Sequence, residues 1–158
     1  MKNLLSNDYV VLGARIVLGF AFLVASVDKL ASPELFARSI INYKILPHDP
    51  AMVIATILPW AEMLCSLCLI FGLATRGGSL LMGAMLFVFT VAVLSALARG
   101  LDITCGCFTQ DPAAGKVGWM KLGENTLLLL VSVFIYLSSG VRFTLERYLH
   151  NQRGQSAV

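Results

Sequence analysis

The sequence has few charged residues. Asp, Glu, Lys and Arg together make up 13% of its 158 residues, whereas apolar side chains make up 58%. Soluble globular domains carry about 25% charged residues. The mean hydropathy of the whole chain is +0.80. This composition excludes an ordinary soluble domain and indicates an integral membrane protein.

Clusters of positive charge are also scarce. The formal net charge is +3, and no basic stripe with interleaved aromatic residues occurs. Such a stripe is the electrostatic footprint of a nucleic-acid-binding surface. We therefore expect membrane lipid around this protein and no nucleic acid among its partners.

Four apolar runs are long enough to cross a hydrocarbon layer of about 30 Å. They are residues 9–30, 51–71, 79–98 and 120–137. The first run lacks the small-residue cleavage site of a signal peptide, so we expect it to be retained. Residues 33–43 have an apolar face but are too short to span, which predicts a short amphipathic helix in the membrane interface.

The predicted fold is therefore an all-α membrane protein, a four-transmembrane-helix bundle with a short interfacial helix after the first span. We expect one membrane domain over residues 1–140 and a polar C-terminal tail over residues 141–158. Lys and Arg divide equally between the two sides of this bundle. The C-terminal tail is basic, and the side opposite the termini carries more acidic residues. Both features weakly favour cytoplasmic termini.

Four cysteines form two close pairs, Cys65 with Cys68 and Cys105 with Cys107. The second pair flanks a single glycine in the long polar connection before the fourth span. A disulfide there closes a very small ring, and ring strain favours electron exchange over bracing of the fold. The alternatives are two unpaired thiols, a structural bridge or half of a metal site. A zinc site is the weakest of these alternatives, because zinc needs four ligands and the distant His48 is the only further candidate beside Cys105 and Cys107.

Cys65 and Cys68 share one face of the second predicted span, so their side chains can be neighbours. Cysteine is also a small apolar residue that packs well between helices, and a packing role is the strong alternative. If successive spans alternate in direction, this pair lies far in depth from the Cys105–Cys107 loop. Direct exchange between the pairs then requires a mobile or re-entrant loop.

Arg15 and Glu62 are ionisable residues within predicted spans. A charge at that depth is costly and marks a functional candidate that needs a partner. Arg15 is the expected partner of Glu62 if their helices are adjacent. Pro59 bends the same helix, and such bends often mark a cavity. A structural ion pair, a protonated Glu62, and a role in proton or quinone binding all remain open.

One ordered set of residues resembles a known family. Its most specific element is Cys105-Gly106-Cys107-Phe108 after the third span. The weaker elements are Gly19, Lys29-Leu30, Pro33, Leu46-Pro47, Leu58-Pro59-Trp60, Glu62, Gly72, Arg76, Trp119 and Asn125. Over about residues 10–140 this order resembles the MauE proteins of methylamine utilisation, within the broader DoxX-like membrane family.

The resemblance implies a four-helix bundle in the bacterial inner membrane that is associated with thiol–disulfide chemistry. MauE-type proteins are linked to the maturation of a periplasmic, disulfide-rich dehydrogenase alongside a thioredoxin-like partner. DoxX relatives are linked to quinone-coupled sulfur oxidation. This chain has Thr109 where the pattern usually continues with glycine, and Cys65 and Cys68 are not part of the family motif.

We therefore expect a membrane thiol–disulfide oxidoreductase. Cys105 or Cys107 forms a mixed disulfide with a periplasmic thioredoxin-like protein, which places their loop in the periplasm. Electrons then pass to or from a membrane quinone, or across the bilayer through Cys65 and Cys68. The quinone is the only cofactor expected, and no metal is.

The residues expected to bind the quinone are Arg15, Glu62 and Trp60. Two functions of other classes compete with this interpretation. One is a non-catalytic membrane assembly factor whose Cys-x-Cys loop docks a partner. The other, weaker one is transport of a small sulfur compound or a metal through the bundle.

Overall fold

The computed structural model describes residues 8–101, 103 and 118–138. Within them the chain forms five helices, α1 Asp8–Ala31, α2 Pro33–Asn42, α3 His48–Phe71, α4 Thr75–Ala98 and α5 Trp119–Leu137. All except α2 are long and apolar enough to cross a membrane. The predicted four-span, all-α architecture with a short helix after the first span is confirmed. Cys105, Cys107 and the C-terminal tail lie outside the described residues.

Helix α3 begins three residues before the predicted start of the second span. Proline is typical of turns, but Pro50 lies in the first turn of the helix. Proline is tolerated there because the first backbone N–H groups of a helix have no intrahelical acceptor. Pro47 is the N-cap, with ψ of 170°, so the extended approach ends one residue before α3.

The reversal between α3 and α4 is shorter than predicted. Gly72 and Ala74 have left-handed φ values of 73° and 46°, and they turn the chain. The Leu73 N–H donates to the Cys68 carbonyl oxygen at 2.8 Å, which closes the end of α3. Helix α4 therefore starts at Thr75, and the two glycines that follow lie inside it.

Helices α1 and α3 form the most extensive antiparallel contact of the bundle. Gly19 permits their close approach: a methyl group placed on it would lie 2.8 Å from Cγ1 of Ile70 and 3.1 Å from the Ser66 carbonyl oxygen. Small residues at such contacts let helix backbones approach in membranes, where packing drives association.

Helices α4 and α5 form the second extensive contact. The Ser132 hydroxyl donates to the Ser79 carbonyl oxygen at 2.6 Å. A methyl group placed on Gly83 would lie 3.1 Å from the Ser132 Oγ. The small residues at positions 79 and 83 therefore lie at a close contact between the two helices.

Helix α2 packs against the bundle with its buried face. Phe36 and Ala37 are buried against Ala55 of α3, and Phe89 of α4 packs on the same cluster. Tyr43 follows the helix and meets Phe89 edge to face, with ring centroids 6.4 Å apart. The chain after α1 is thereby folded over the end of the bundle at which α3 begins and α4 ends.

Candidate functional site

A buried ion pair joins α1 to α3. The Lys29 ammonium donates to both carboxylate oxygens of Glu62, each at 2.8 Å. The two side chains are 2% and 3% exposed. Isolated charges are strongly disfavoured in a protein or lipid interior, so pairing and hydrogen bonding permit these two to be there.

Helical periodicity brings both side chains to this interface. Residues at three- and four-residue spacing turn inward from α1: Val11, Arg15, Leu18, Gly19, Phe22, Ala25, Ser26 and Lys29. Glu62 lies on the corresponding buried face of α3, between Pro59 and Ser66. Lys29 is two residues from the end of α1, and side chains on a helix lean toward its N-terminus. Its long stem therefore reaches back into the bundle to meet Glu62.

Aromatic rings cover the ammonium on its other sides. The Lys29 Nζ lies 5.0 Å from the ring centroid of Phe36 and 5.7 Å from that of Phe89. Both distances are within the range of a cation–π contact. Asn125 of α5 and Phe22 of α1 line a cavity of about 10 Å³ beside the pair. That volume leaves room for no more than about one water molecule beside the pair.

The expected pairing of Glu62 with Arg15 is wrong. Arg15 is buried, and its Nε and Nη2 donate to the Leu69 carbonyl oxygen at 3.1 and 2.9 Å. Leu69 follows Glu62 by seven residues, or about 10 Å along α3. The antiparallel register of α1 and α3 therefore places Arg15 at the C-terminal end of α3, where it caps a carbonyl group.

Trp60 lies away from both charges. Its side chain is 54% exposed on the outer surface of α3, whereas Glu62 is buried. Residues two apart in a helix point to different faces, so Trp60 and Glu62 do not share a site. The structure thus does not bring together Arg15, Glu62 and Trp60, the residues predicted to bind a quinone.

Cys65 and Cys68 are both free thiols. Cys65 is buried in the central apolar cluster, with Leu18 and Met82 among its members. A methyl group placed on Gly78 would lie 3.6 Å from the Cys65 carbonyl oxygen. Gly78 precedes Ala98, the last residue of α4, by 20 residues, which is about 30 Å. The pair thus lies near the end of the bundle opposite to Ala98, the end of α4 that precedes the connection.

The segment that leads into that connection is packed against the end of α2. Leu101 and Ile103 join an apolar cluster formed by Tyr43, Val93 and Ala96, and Leu122 of α5 packs on the same cluster. Arg99 donates through Nη2 to the Tyr43 carbonyl oxygen. Burial raises the pKa of the Tyr43 hydroxyl, which keeps this phenol neutral.

Cys105 follows Ile103 by two residues in the sequence and lies outside the described residues.

An apolar pocket of about 360 Å³ lies between α2, α3 and α4, close to the same cluster. Its walls include Tyr43, Leu46, Leu58, Met85 and Phe89, and every described residue that lines it is apolar or aromatic. Met85 and Phe89 also line the cavity beside Lys29 and Glu62. These two side chains thus separate the apolar pocket from the ion pair.

Sequence reasoning missed Lys29 and Asn125 as members of a buried polar site. A signal for Lys29 was present, because it continues the three- and four-residue spacing that starts at Arg15. Glu124 and Asn125 are adjacent polar residues about one turn inside the predicted fourth span. The structure buries Asn125 beside the ion pair, while Glu124 pairs with Lys121 at 2.8 Å nearer the surface.

Comparison with known proteins gives consistent matches. The family model described as methylamine utilisation protein MauE matches residues 7–138. The methylamine utilization protein MauE of Methylophilus methylotrophus is 24% identical over 136 residues, which cover 85% of this chain and 72% of that protein. MauE of Paracoccus denitrificans is 28% identical over 136 residues, which cover 85% and 73%. MauE of Methylorubrum extorquens is 28% identical over 130 residues, which cover 82% and 69%. No solved structure matches the chain.

Proposed function

Because this chain belongs to the MauE family of methylamine utilisation proteins, we propose that it is an inner-membrane thiol–disulfide redox protein. Cys105 and Cys107 exchange electrons with a periplasmic thioredoxin-like partner, and this exchange supports the maturation of periplasmic proteins. The names of its relatives assign those proteins to methylamine utilisation, and we assign this chain to the same process.

The observation that carries this proposal is the anchoring of the cysteine-bearing connection. Leu101 and Ile103 precede the connection and Leu122 follows it, and all three pack on the cluster around Tyr43. Both ends of the connection are thereby held at one end of the bundle. A loop that is fixed at its base and carries two thiols one residue apart is suited to present them to a soluble partner.

The exchange conserves two electrons and two protons. In the oxidising direction, a thiolate of the partner attacks one sulfur of the Cys105–Cys107 disulfide and forms a mixed disulfide. The second thiolate of the partner then attacks that bond, so the partner leaves as a disulfide and Cys105 and Cys107 remain as a dithiol. The same steps in reverse reduce the partner.

Electron transfer between the Cys105–Cys107 pair and the membrane fits a quinone better than a relay through Cys65 and Cys68. The Cys65 turn of α3 packs at Gly78, about 30 Å along α4 from the end of that helix that leads into the connection, and this separation favours the quinone. A quinone is a two-electron acceptor that dissolves in the bilayer. Oxidation of the dithiol by a quinone gives one disulfide and one quinol and leaves no electron or proton unassigned.

The non-catalytic assembly factor is the second candidate, and the ion pair is the observation that favours it. Lys29 and Glu62 satisfy each other in a nearly dry site, as structural ion pairs do. The same observation counts against the third candidate, transport. Around these charges the described residues leave a space of about 10 Å³, which is not a wet path.

The test is to trap the redox state of each cysteine pair in native membranes with a maleimide of known mass. We expect the Cys105–Cys107 pair to change between dithiol and disulfide when a thioredoxin-like dithiol or a quinone analogue is added. The double variant Cys105→Ser/Cys107→Ser should lose partner maturation, whereas the matched variant Cys65→Ser/Cys68→Ser should retain it.

Two results would reject the redox proposal. One is a Cys105–Cys107 pair that stays in one state throughout the titration. The other is normal partner maturation in Cys105→Ser/Cys107→Ser. Either result leaves the assembly factor as the better description.

A further inference from the structure

Residues from all five helices meet around the Lys29 ammonium of α1. Glu62 of α3 accepts its hydrogen bonds, and the rings of Phe36 of α2 and Phe89 of α4 lie 5.0 and 5.7 Å from it. Asn125 of α5 lines the same small cavity as Lys29 and Glu62. These three polar side chains are each 2% exposed. One space inside the bundle is therefore bordered by buried polar groups from three different helices.

The ion pair does not use all the hydrogen-bonding capacity of its two members. An ammonium group has three N–H donors, and a carboxylate has about four lone-pair sites. The Lys29 ammonium makes two hydrogen bonds, one to each oxygen of Glu62, and in the described part of the chain Glu62 is its only acceptor. A buried donor without an acceptor is costly. The third N–H of Lys29 therefore favours an acceptor in the adjoining cavity.

The cavity meets the two requirements for a buried water molecule. Its volume of about 10 Å³ is at the lower limit of about 10–15 Å³ at which a cavity holds one water. Such a water also needs two to four polar partners. Lys29, Glu62 and Asn125 supply three, and the remaining lining residues are apolar or aromatic.

The charges around the cavity select a neutral occupant. A cation is repelled by the Lys29 ammonium, and an anion is repelled by the Glu62 carboxylate. An apolar occupant leaves the buried N–H without an acceptor. A neutral molecule with one heavy atom that both donates and accepts hydrogen bonds satisfies all three conditions, and water is such a molecule.

We propose that this cavity holds one water molecule, which accepts a hydrogen bond from the Lys29 ammonium, donates one to the Glu62 carboxylate and bonds to the Asn125 amide. The site is independent of the proposed redox function. Its position gives it a structural role, because the two most extensive helix contacts are α1 with α3 and α4 with α5. Lys29 and Glu62 belong to the first helix pair and Asn125 to the second, so the water connects the two pairs inside the bundle.

The test is X-ray radiolytic labelling of the full chain in nanodiscs of phosphatidylcholine and phosphatidylglycerol. The pulse forms hydroxyl radicals from water where the water lies, so a buried side chain is labelled when a water molecule is beside it. Leu86 is 3% exposed and lines the cavity. Leu18 is 0% exposed, belongs to the same apolar cluster and is not among the lining residues. Mass spectrometry of the oxidised peptides compares these two leucines.

We expect Leu86 to be labelled at least about fivefold faster than Leu18 in the unmodified chain. Asn125→Leu should lower the labelling of Leu86 to the level of Leu18, because leucine removes the amide and its larger side chain fills the cavity. Thr126→Val is the matched control on the same helix. The Thr126 side chain is exposed and bonds to Leu122 within α5, so this variant should change the labelling of Leu86 less than twofold.

The measurement on the unmodified chain tests the proposal even if a variant does not fold. Weak and equal labelling of Leu86 and Leu18 would show that the cavity is empty. Strong and equal labelling would show general penetration of water into the bundle, which contradicts a single bound molecule. Labelling of Leu86 that persists in folded Asn125→Leu would show that the water lies elsewhere. Each of these three results would overturn the proposal.

Discussion

Lys29 and Glu62 are 33 residues apart in the sequence and form a bidentate ion pair in the interior of the bundle, with Nζ 2.8 Å from each carboxylate oxygen. This pair fixes α1 against α3. A helix that slid along its neighbour by one turn, about 5.4 Å, would separate the two charges inside an apolar environment. The pair therefore sets the register of the most extensive helix contact in the protein.

Removing one charge of this pair is expected to be strongly destabilising. Lys29→Met or Glu62→Met alone should lower the free energy of unfolding by about 3–5 kcal/mol, because the remaining charge is left buried without a partner. Lys29→Met/Glu62→Met removes both charges and should lose much less. The measurement is SDS-induced unfolding in micelles, followed by circular dichroism.

The pair of Lys121 and Glu124 provides the control for this prediction. Its N···O distance is also 2.8 Å, but its side chains are 24% and 44% exposed. Lys121→Met should therefore change stability by no more than about 1 kcal/mol. Single variants at Lys29 and Glu62 that are as mild as Lys121→Met would refute a register-setting role for the buried pair.

The close contact at Gly19 predicts opposite effects for two glycine substitutions in α1. Gly19→Ala should destabilise by about 1–3 kcal/mol, since its methyl group meets Ile70 and the Ser66 carbonyl oxygen. Gly13→Ala meets nothing within 4 Å, so it should be neutral or stabilise by up to about 1 kcal/mol. Thermal unfolding in detergent distinguishes them, and equal midpoints would contradict the close packing of α1 on α3.

Ser132 offers a test of the contact between α4 and α5. Ser132→Ala removes its hydrogen bond to the Ser79 carbonyl oxygen and should cost about 0.6–1.7 kcal/mol, as interhelical hydrogen bonds in membranes do. Thr126→Ala is the matched control, because the Thr126 hydroxyl bonds within its own helix to Leu122 and is exposed. The same unfolding assay applies. A loss in Thr126→Ala as large as that in Ser132→Ala would show that the contact is not specific.

The distance between the two cysteine pairs gives a functional prediction. Cys65→Ala and Cys68→Ala should each leave quinone-dependent cycling of the Cys105–Cys107 pair within twofold of the wild-type rate, whereas Cys107→Ala should abolish it. The assay is maleimide trapping in reconstituted membranes. A complete loss of transfer in Cys65→Ala would instead establish a relay through the bilayer.

The spans were predictable because backbone groups in lipid must be hydrogen-bonded internally, which makes each span a long apolar helix. The helix ends were less predictable, because they depend on local turn geometry. Pro50 and Gly78 are both typical of turns, yet the structure places them inside α3 and α4. At Gly78, α4 packs on the Cys65 turn of α3, where a methyl group would lie at an ordinary contact distance of 3.6 Å.

The partner of Glu62 could not be predicted because it depends on the relative height of α1 and α3, that is, on which residues of the two helices lie level with each other. The sequence does not contain this quantity. That height follows from how α2 and the connection after it fold over the bundle. It places Arg15 level with Leu69 and lets the long side chain of Lys29 reach Glu62. The apolar pocket was unpredictable for a similar reason, since three separate helices form its walls.

The partners of α1 also determine how this chain can enter a membrane during synthesis. Arg15 and Lys29 leave the ribosome well before Leu69 and Glu62, the residues that will receive their hydrogen bonds. A Lys or Arg in the middle of a lone helix raises its insertion free energy by about 2.5–3.5 kcal/mol. Lys29 lies near the end of α1, from which a long side chain can reach water, whereas Arg15 lies seven residues, or about 10 Å, inside its first residue. Because the acceptors of both cations lie on α3, we expect the stable unit of insertion to be the α1–α3 pair and not the first helix alone.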